Sequence, residues 1–247
     1  MLPGTTYSRL GLSHIADKVF ARERLSLEDG ERLFHCPDPV AVGQLAHWVR
    51  TQRHGLRTTY VLNRQMNYTN ICVNRCLFCA YHRGKGEPGA FELSLADVED
   101  KLAAEGTSTL SEIHVVGGCH PDLPFSYYLE LLRTIKSFAP RATLKCFTPV
   151  EISHFADREG TDPRDILSRL QEAGLDMLPG GGAEIFAPEV RRKICPHKAD
   201  GQSWLQICRL AHGLGLTSNC TMLFGHLETA RHQIGRASCR ERVYCEV

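Results

Sequence analysis

The chain has 247 residues, of which 43% are hydrophobic and 23% charged, an ordinary globular composition with length for one large domain or two small ones. Its 29 basic and 28 acidic side chains leave a formal net charge of +1, so no global field draws it to nucleic acid or to an anionic membrane, and a small-molecule substrate is the expected partner. The N-terminus lacks the continuous apolar core of a secretory signal, no apolar run is long enough to cross a bilayer, and the eleven cysteines are odd in number; a cytoplasmic location and metal or cofactor ligation are expected rather than a disulfide framework.

Apolar Ile15, Val19 and Phe20 recur at helical spacing, and Ser26 with Asp29 makes a capping-box pair ahead of Leu33 and Phe34. Asp38 and Pro39 open a further helix through Trp48. Residues 1–57 are therefore expected to be an N-terminal helical segment. From residue 58 the pattern changes to short apolar strands separated by amphipathic helices. The stretch "TTYVLNRQMNYT" leads into a cysteine loop, Ser94 caps "SLADVEDKLAAEG", and "EIHVVGG" precedes "FSYYLELLRTIKSF". Next, "ATLKCFTPVEI" precedes the helix "DPRDILSRLQEAG", and "LDMLPGGG" and "LTSNCTMLFG" flank the helix "SWLQICRLAHGLG". Gly106, Gly174 and Gly215 each end a helix just before the next strand, as a left-handed turn requires. This grammar predicts an α/β fold, a (β/α) barrel of the TIM type over residues 58–229. About five strand–helix units are present where a full barrel has eight, so a truncated barrel is expected. A doubly wound dinucleotide fold is the alternative, but cysteines stand where its glycine-rich turn would follow the first strand. Residues 230–247, "ARHQIGRASCRERVYCEV", show neither a helical apolar stripe nor a usable strand and read as a non-native tail, with Cys239 and Cys245 uninvolved in the site.

Cys72, Cys76 and Cys79 lie in the order Cys-x₃-Cys-x₂-Cys. Three thiolates can hold three irons of a [4Fe–4S] cluster whose usual complement is four, leaving one iron open to a ligand. The rival is a zinc knuckle, because His82 follows Cys79 at a spacing that completes a Cys₃His tetrahedron. The loop's position between a strand and its helix, where parallel barrels build active sites, favours the cluster. Cys36, Cys119, Cys146, Cys195, Cys208 and Cys220 are scattered among apolar neighbours and read mostly as small buried hydrophobes.

With aromatic Phe78 before the third cysteine, the loop resembles the signature of the radical S-adenosylmethionine (SAM) superfamily. Together with "EIHVVGGCHPDLPFSYYLELL", "LKCFTPVEI", "GLDMLPGGGAEIF", "RRKICPHK" and "TMLFGHLET", it is similar to the aminofutalosine synthases of the futalosine route to menaquinone, over about residues 11 to 229. The cyclic dehypoxanthinyl futalosine synthases and the deazaflavin-precursor synthases share these motifs in part. The resemblance implies Cys72, Cys76 and Cys79 as ligands of a [4Fe–4S] cluster, Phe78 beside the adenine, and SAM as co-substrate chelating the open iron. An external one-electron reductant would then release a 5′-deoxyadenosyl radical. The expected reaction is addition of that radical to 3-[(1-carboxyvinyl)oxy]benzoate to give 6-amino-6-deoxyfutalosine.

The remaining candidates are weighed one by one. Gly117 and Gly118 end the second strand, where the matching glycines of the superfamily admit the amino end of SAM; a plain tight turn would use glycine equally. Cys119 follows them where the superfamily often has Glu. Glu151 lies just past the third strand and can accept hydrogen bonds from ribose hydroxyls or an ammonium, or stand as a solvated charge at a helix start. Gly180, Gly181 and Gly182 can form an anion nest or a sharp turn, with Glu184 in the same loop. His120, Arg83, Lys145 and His226 can meet an anionic substrate or move protons, though each alone is more often a surface charge or a satisfied histidine. His212 sits on a helix and reads as structural.

Overall fold

The computed structural model describes residues 4–107 and 109–244; Cys245 lies outside them. The chain divides into two compact units, one made of the chain up to Tyr60 together with Glu228–Cys239, the other centred on Val61–Leu227. In the first unit α1 (Gly4–Arg9), α2 (Ser13–Phe20), α3 (Leu27–Phe34) and α4 (Pro39–His54) follow one another. Ser26 Oγ accepts from Asp29 N while Asp29 returns the bond to Ser26 N, the capping box expected from the sequence. Asp38 caps α4, which runs past Trp48 to His54. Tyr7, Leu12, Ile15, Val19 and Leu45 form the core of this unit.

The second unit is built on five parallel strands in sequential order. They are β1 (Asn63–Met66), β2 (Glu112–Val115), β3 (Thr143–Cys146), β4 (Met177–Leu178) and β5 (Thr217–Ser218). Connecting them are α5 (Leu95–Glu105), α6 (Phe125–Phe138), α7 (Pro149–Glu159), α8 (Pro163–Glu172), α9 (Pro188–Ile194) and α10 (Gly201–Gly213). Sequential parallel order with helical crossovers is the grammar of a (β/α) barrel. Side chains alternate across each strand. Met66, Ile113, Val115, Leu144, Cys146 and Leu178 pack under α5, α6, α7, α8 and α10 in one apolar core. The opposite, inner face carries a row set by the register: Gln65, His114 and Lys145 pair in turn, and Lys145 pairs with Met177 and Met177 with Thr217.

Three features depart from the sequence reading. The strands are shorter than their apolar stretches: of "TTYVLNRQMNYT" only Asn63–Met66 joins the ladder, with residues 58–62 exposed ahead of it, and of "LTSNCTMLFG" only Thr217–Ser218 does. "PVEI" is not strand but the first turn of α7, capped by Thr148 with Pro149 at the first helical position, and α9 forms where the sequence showed only a loop. The third departure is α11 (Ala230–Tyr244), which forms in the stretch that shows no apolar stripe; its alanine, arginine, glutamine and glutamate residues are good helix formers on their own. In the first unit Ile234 lies against Gly30 and Arg231 reaches Glu31 at 3.2 Å. No helix among the described residues is long and apolar enough to cross a membrane.

Candidate active site

The cysteine loop leaves β1 at Met66 and is tied down by its own polar residues. Asn70 Oδ1 accepts from Phe91 N and its Nδ2 donates to Gly89 O, both at 2.9 Å, while Thr69 Oγ1 donates to Phe91 O at 2.6 Å. Backbone bonds join Gly118 N to Thr69 O, Val73 N to Cys119 O, and Leu77 N to Ile194 O at 2.9 to 3.1 Å. The loop is thereby fastened to the end of β2 on one side and to α9 on the other.

Cys72, Cys76 and Cys79 line one cavity of about 310 Å³ at the C-terminal ends of the strands, together with Phe78, Gly117, Gly118, Glu151 and Lys198. A larger hollow of about 530 Å³ lies along α4 of the first unit, but its lining brings together no cluster of ionisable groups. The chemistry therefore sits in the smaller one. Cys72 Sγ accepts from Cys119 N at 3.4 Å. The Cys119 side chain, aided by backbone N–H groups, lowers the Cys72 pKa to about 5 against the opposing effect of burial, so this thiol is held as thiolate. Burial pushes Cys76 up to about 11, with the Lys198 charge opposing.

Cys119 is thus no spare core cysteine: buried, it orders Cys72 and in turn receives Asn74 Nδ2 at 3.1 Å. Cys146, Cys195 and Cys208 are buried, whereas Cys36 and Cys220 are half-buried. His82 Nδ1 is engaged with Cys79 O at 2.7 Å, and among the described residues no group of three or more His, Cys, Asp or Glu side chains converges on a single-ion site. Three thiols spread over one wall, one of them held as thiolate, are a donor set suited to a cluster several ångströms across, with protein ligands for three of its irons.

Glu151 is fully engaged inside the protein. Oε1 accepts from Tyr68 Oη at 2.8 Å and Gly117 N at 3.1 Å; Oε2 accepts from Thr148 N and Thr148 Oγ1, both at 2.8 Å. It is 2% exposed, which removes the solvated-charge reading, and it binds together the chain beyond β1, β2 and β3. Burial raises its pKa to about 7 against these four hydrogen bonds. Before it, Phe147 turns at φ +57, a left-handed conformation rare for an aromatic residue, and so sets Thr148 to cap α7. Tyr68, Tyr128, Phe147 and Phe155 stack beneath with ring centroids 4.1 to 6.0 Å apart for the pairs in contact.

The glycines at the rim are required by packing. A Cβ on Gly118 would lie 2.1 Å from Ile71 O, and one on Gly117 2.6 Å from the Tyr68 ring. In the glycine run, Gly180 N is taken by Asn219 Oδ1 at 2.8 Å, so it does not turn toward an anion as a nest would. Glu184 is buried, with Lys198 Nζ at 3.0 Å and Arg191 Nη1 at 3.5 Å. Lys198 stands 5.2 Å from the Phe78 ring centroid. Burial opposes its charge, but Glu184 and the neighbouring thiols outweigh burial and keep it an ammonium.

Of the other candidates, His120 is structural: Nδ1 accepts from Asp122 N and Leu123 N, both at 3.0 Å, and Nε2 faces Glu92 at 2.9 Å. Arg83 folds back on the carbonyls of Ala80 and His82. Lys145 is held by Glu112 at 2.6 Å. His226 Nε2 lies 3.2 Å from Leu223 O, and His212 Nε2 lies 2.9 Å from Ser218 Oγ. The sequence reading did not single out Tyr68, His114 or Lys198. The signal for His114 was a polar residue alternating with apolar ones on a buried strand; for Lys198 it was only a place in "ICPHK".

The radical SAM superfamily profile matches residues 66–235, more than half of the chain. The chain belongs to the radical SAM superfamily. Enzymes of this superfamily use a [4Fe–4S] cluster and SAM, and the three cysteines of this chain suit that cluster. It is 43% identical over 220 residues to aminodeoxyfutalosine synthase of Thermus thermophilus, covering 89% of this chain and 59% of the relative. It is also 41% identical over 197 residues to the 5-amino-6-(D-ribitylamino)uracil–L-tyrosine 4-hydroxyphenyl transferase of Methanopyrus kandleri, covering 80% and 53%. The chain thus spans a little over half the length of these relatives. Two solved structures share the fold. Methylornithine synthase aligns at TM-score 0.71 and 18% identity over 92% of this chain and 64% of that one. The FeFe-hydrogenase maturase HydG from Carboxydothermus hydrogenoformans aligns at 0.72 and 21% over 98% and 55%.

Proposed function

We propose that this radical SAM chain is the barrel of an aminofutalosine synthase, joining the 5′-deoxyadenosyl group of SAM to 3-[(1-carboxyvinyl)oxy]benzoate, with methionine released and, after rearrangement, one carboxyl group lost as carbon dioxide, to give 6-amino-6-deoxyfutalosine. The observation that carries the reading is the 43% identity over 220 residues to the Thermus thermophilus enzyme. Bound together, the cluster and SAM supply a primary carbon radical once an external donor delivers one electron.

The protein's own residues position and shield. Cys72, Cys76 and Cys79 hold the cluster, with Cys119 N fixing the first thiolate. Phe78 offers a flat apolar face to the adenine at the cavity rim. Lys198 presents an ammonium to a carboxylate and offsets the charge of the thiolates. Gly117 and Gly118 keep the rim low, and Glu151 acts from behind it, holding Gly117 and Thr148 in place. The buried aromatic wall beneath excludes water that would disorder the reacting pair.

The likeness to the tyrosine 4-hydroxyphenyl transferase of Methanopyrus kandleri favours a second reading, a deazaflavin-precursor synthase. Anaerobic reconstitution with SAM and a reductant, followed by mass spectrometry, separates the two. Addition to the benzoate substrate leaves adenosine in the product. A chain that instead frees 5′-deoxyadenosine, and does so only with tyrosine and the ribitylaminouracil, removes the first reading.

A further inference from the structure

The cavity goes deeper than its rim. Gly117 and Gly118 stand at the mouth beside Cys72, yet His114, three residues earlier on β2, lines the same cavity. At roughly 3.3 Å per strand residue the cavity follows β2 inward for about 10 Å. There the inner face is polar. His114 Nε2 is buried with no hydrogen-bond partner, a condition that native proteins rarely leave unanswered. Lys145 is its register partner on β3, with its ammonium on Glu112 Oε1 at 2.6 Å, and Asn63 on the neighbouring strand holds the same oxygen. Burial first, then the Lys145 charge, lowers the pKa of His114, while Glu112 opposes, so the ring is a neutral donor at pH 7.

We propose that His114 is the floor of the substrate subsite and takes a carboxylate of the substrate, Nε2–H donating to one oxygen. This rests on membership of the radical SAM superfamily and on the inner face of β2 and β3, not on the choice between the two reactions. Both 3-[(1-carboxyvinyl)oxy]benzoate and L-tyrosine carry such a group. The mouth then holds the cofactor and the floor orients the acceptor, which places the reacting carbon between them.

The test uses the full chain, reconstituted anaerobically with SAM present. Binding of 3-[(1-carboxyvinyl)oxy]benzoate and, separately, of L-tyrosine is measured by calorimetry for the wild type, His114→Phe and His114→Gln. His114→Phe, which keeps a flat ring without nitrogens, should weaken the carboxylate that the wild type binds by tenfold or more. His114→Gln, which restores a donor, should recover most of the loss. The methyl ester at the recognised carboxylate should bind both wild type and His114→Phe with the same weak affinity, and the change SAM makes to the cluster's electron paramagnetic signal should be identical in all three proteins. Wild-type affinity in His114→Phe, or loss of the SAM signature along with binding, overturns the proposal. A wild type that takes tyrosine and not the benzoate defeats the aminofutalosine reading alone, and His114 is then judged on tyrosine. Binding of neither defeats both.

Discussion

Glu151 receives four donors on two oxygens, yet burial outweighs them and lifts its pKa from about 4.5 to about 7. Below about pH 4.5 the folded and unfolded chains both hold this proton. Between 4.5 and 7 only the folded chain does, so its contribution to stability is full at the acid end and is lost as pH rises through about 7, by about 3 kcal/mol in all. Urea unfolding from pH 5 to 8 should show the wild type losing stability relative to Glu151→Gln; a difference that stays flat with pH contradicts the assignment. At the cysteines the effect is on metal. Cys72→Ala, Cys76→Ala or Cys79→Ala should each take iron and sulfide from about four per reconstituted chain to near zero. A stable cluster with full activity in any of the three ends the ligand assignment. Cys119→Ala is a milder change: it keeps the backbone N–H donor to Cys72 but removes the side chain that most lowers the Cys72 pKa, so the Cys72 thiol should become less acidic while the cluster still assembles.

Elements respond to their glycines in opposite ways. Gly43 lies inside α4 with nothing within 4 Å of a built Cβ, so Gly43→Ala should stabilise the first unit by about 0.5–1 kcal/mol in thermal unfolding. Gly118→Ala drives a Cβ into Ile71 O at 2.1 Å and should prevent cluster assembly while leaving far-ultraviolet helicity largely intact; normal iron content in that variant would show that the loop has slack. The same division explains what could be read from sequence. The capping box at Ser26 and the cap at Ser94 were legible because cap and helix start lie within four residues, while the return bond from Asp97 that completes a box at Ser94 was not read. So were the three cysteines, which share one loop, and the positive φ of Gly106, Gly174 and Gly215. The start of α7 was hidden because Phe147, Thr148, Val150 and Ile152 continue the β-branched and aromatic character of β3, and only the left-handed turn at Phe147 separates them. Tyr68 and Glu151 meet across 83 residues, and neither local period nor composition announces such a pair.

At the scale of the whole molecule, the segment between α4 and β1 is exposed throughout residues 52–63, including Leu56, Tyr60, Val61 and Leu62. Limited trypsin treatment should cut first at Arg57, ahead of Arg75 and Arg83 in the cysteine loop, as read by peptide mass mapping. An earlier cut at Arg75 would show that the ties on that loop open readily. Those ties also impose an order on assembly. The first, to Thr69, Cys72 and Val73, comes from residues 118 and 119, and the second, at Leu77, comes from Ile194. A chain emerging from the ribosome can therefore set Cys72 once residues 118 and 119 are out, whereas the turn carrying Cys76 and Cys79 waits for α9. Until then the loop is fastened on the β2 side alone, and the turn that carries Cys76 and Cys79 lacks its tie to Ile194.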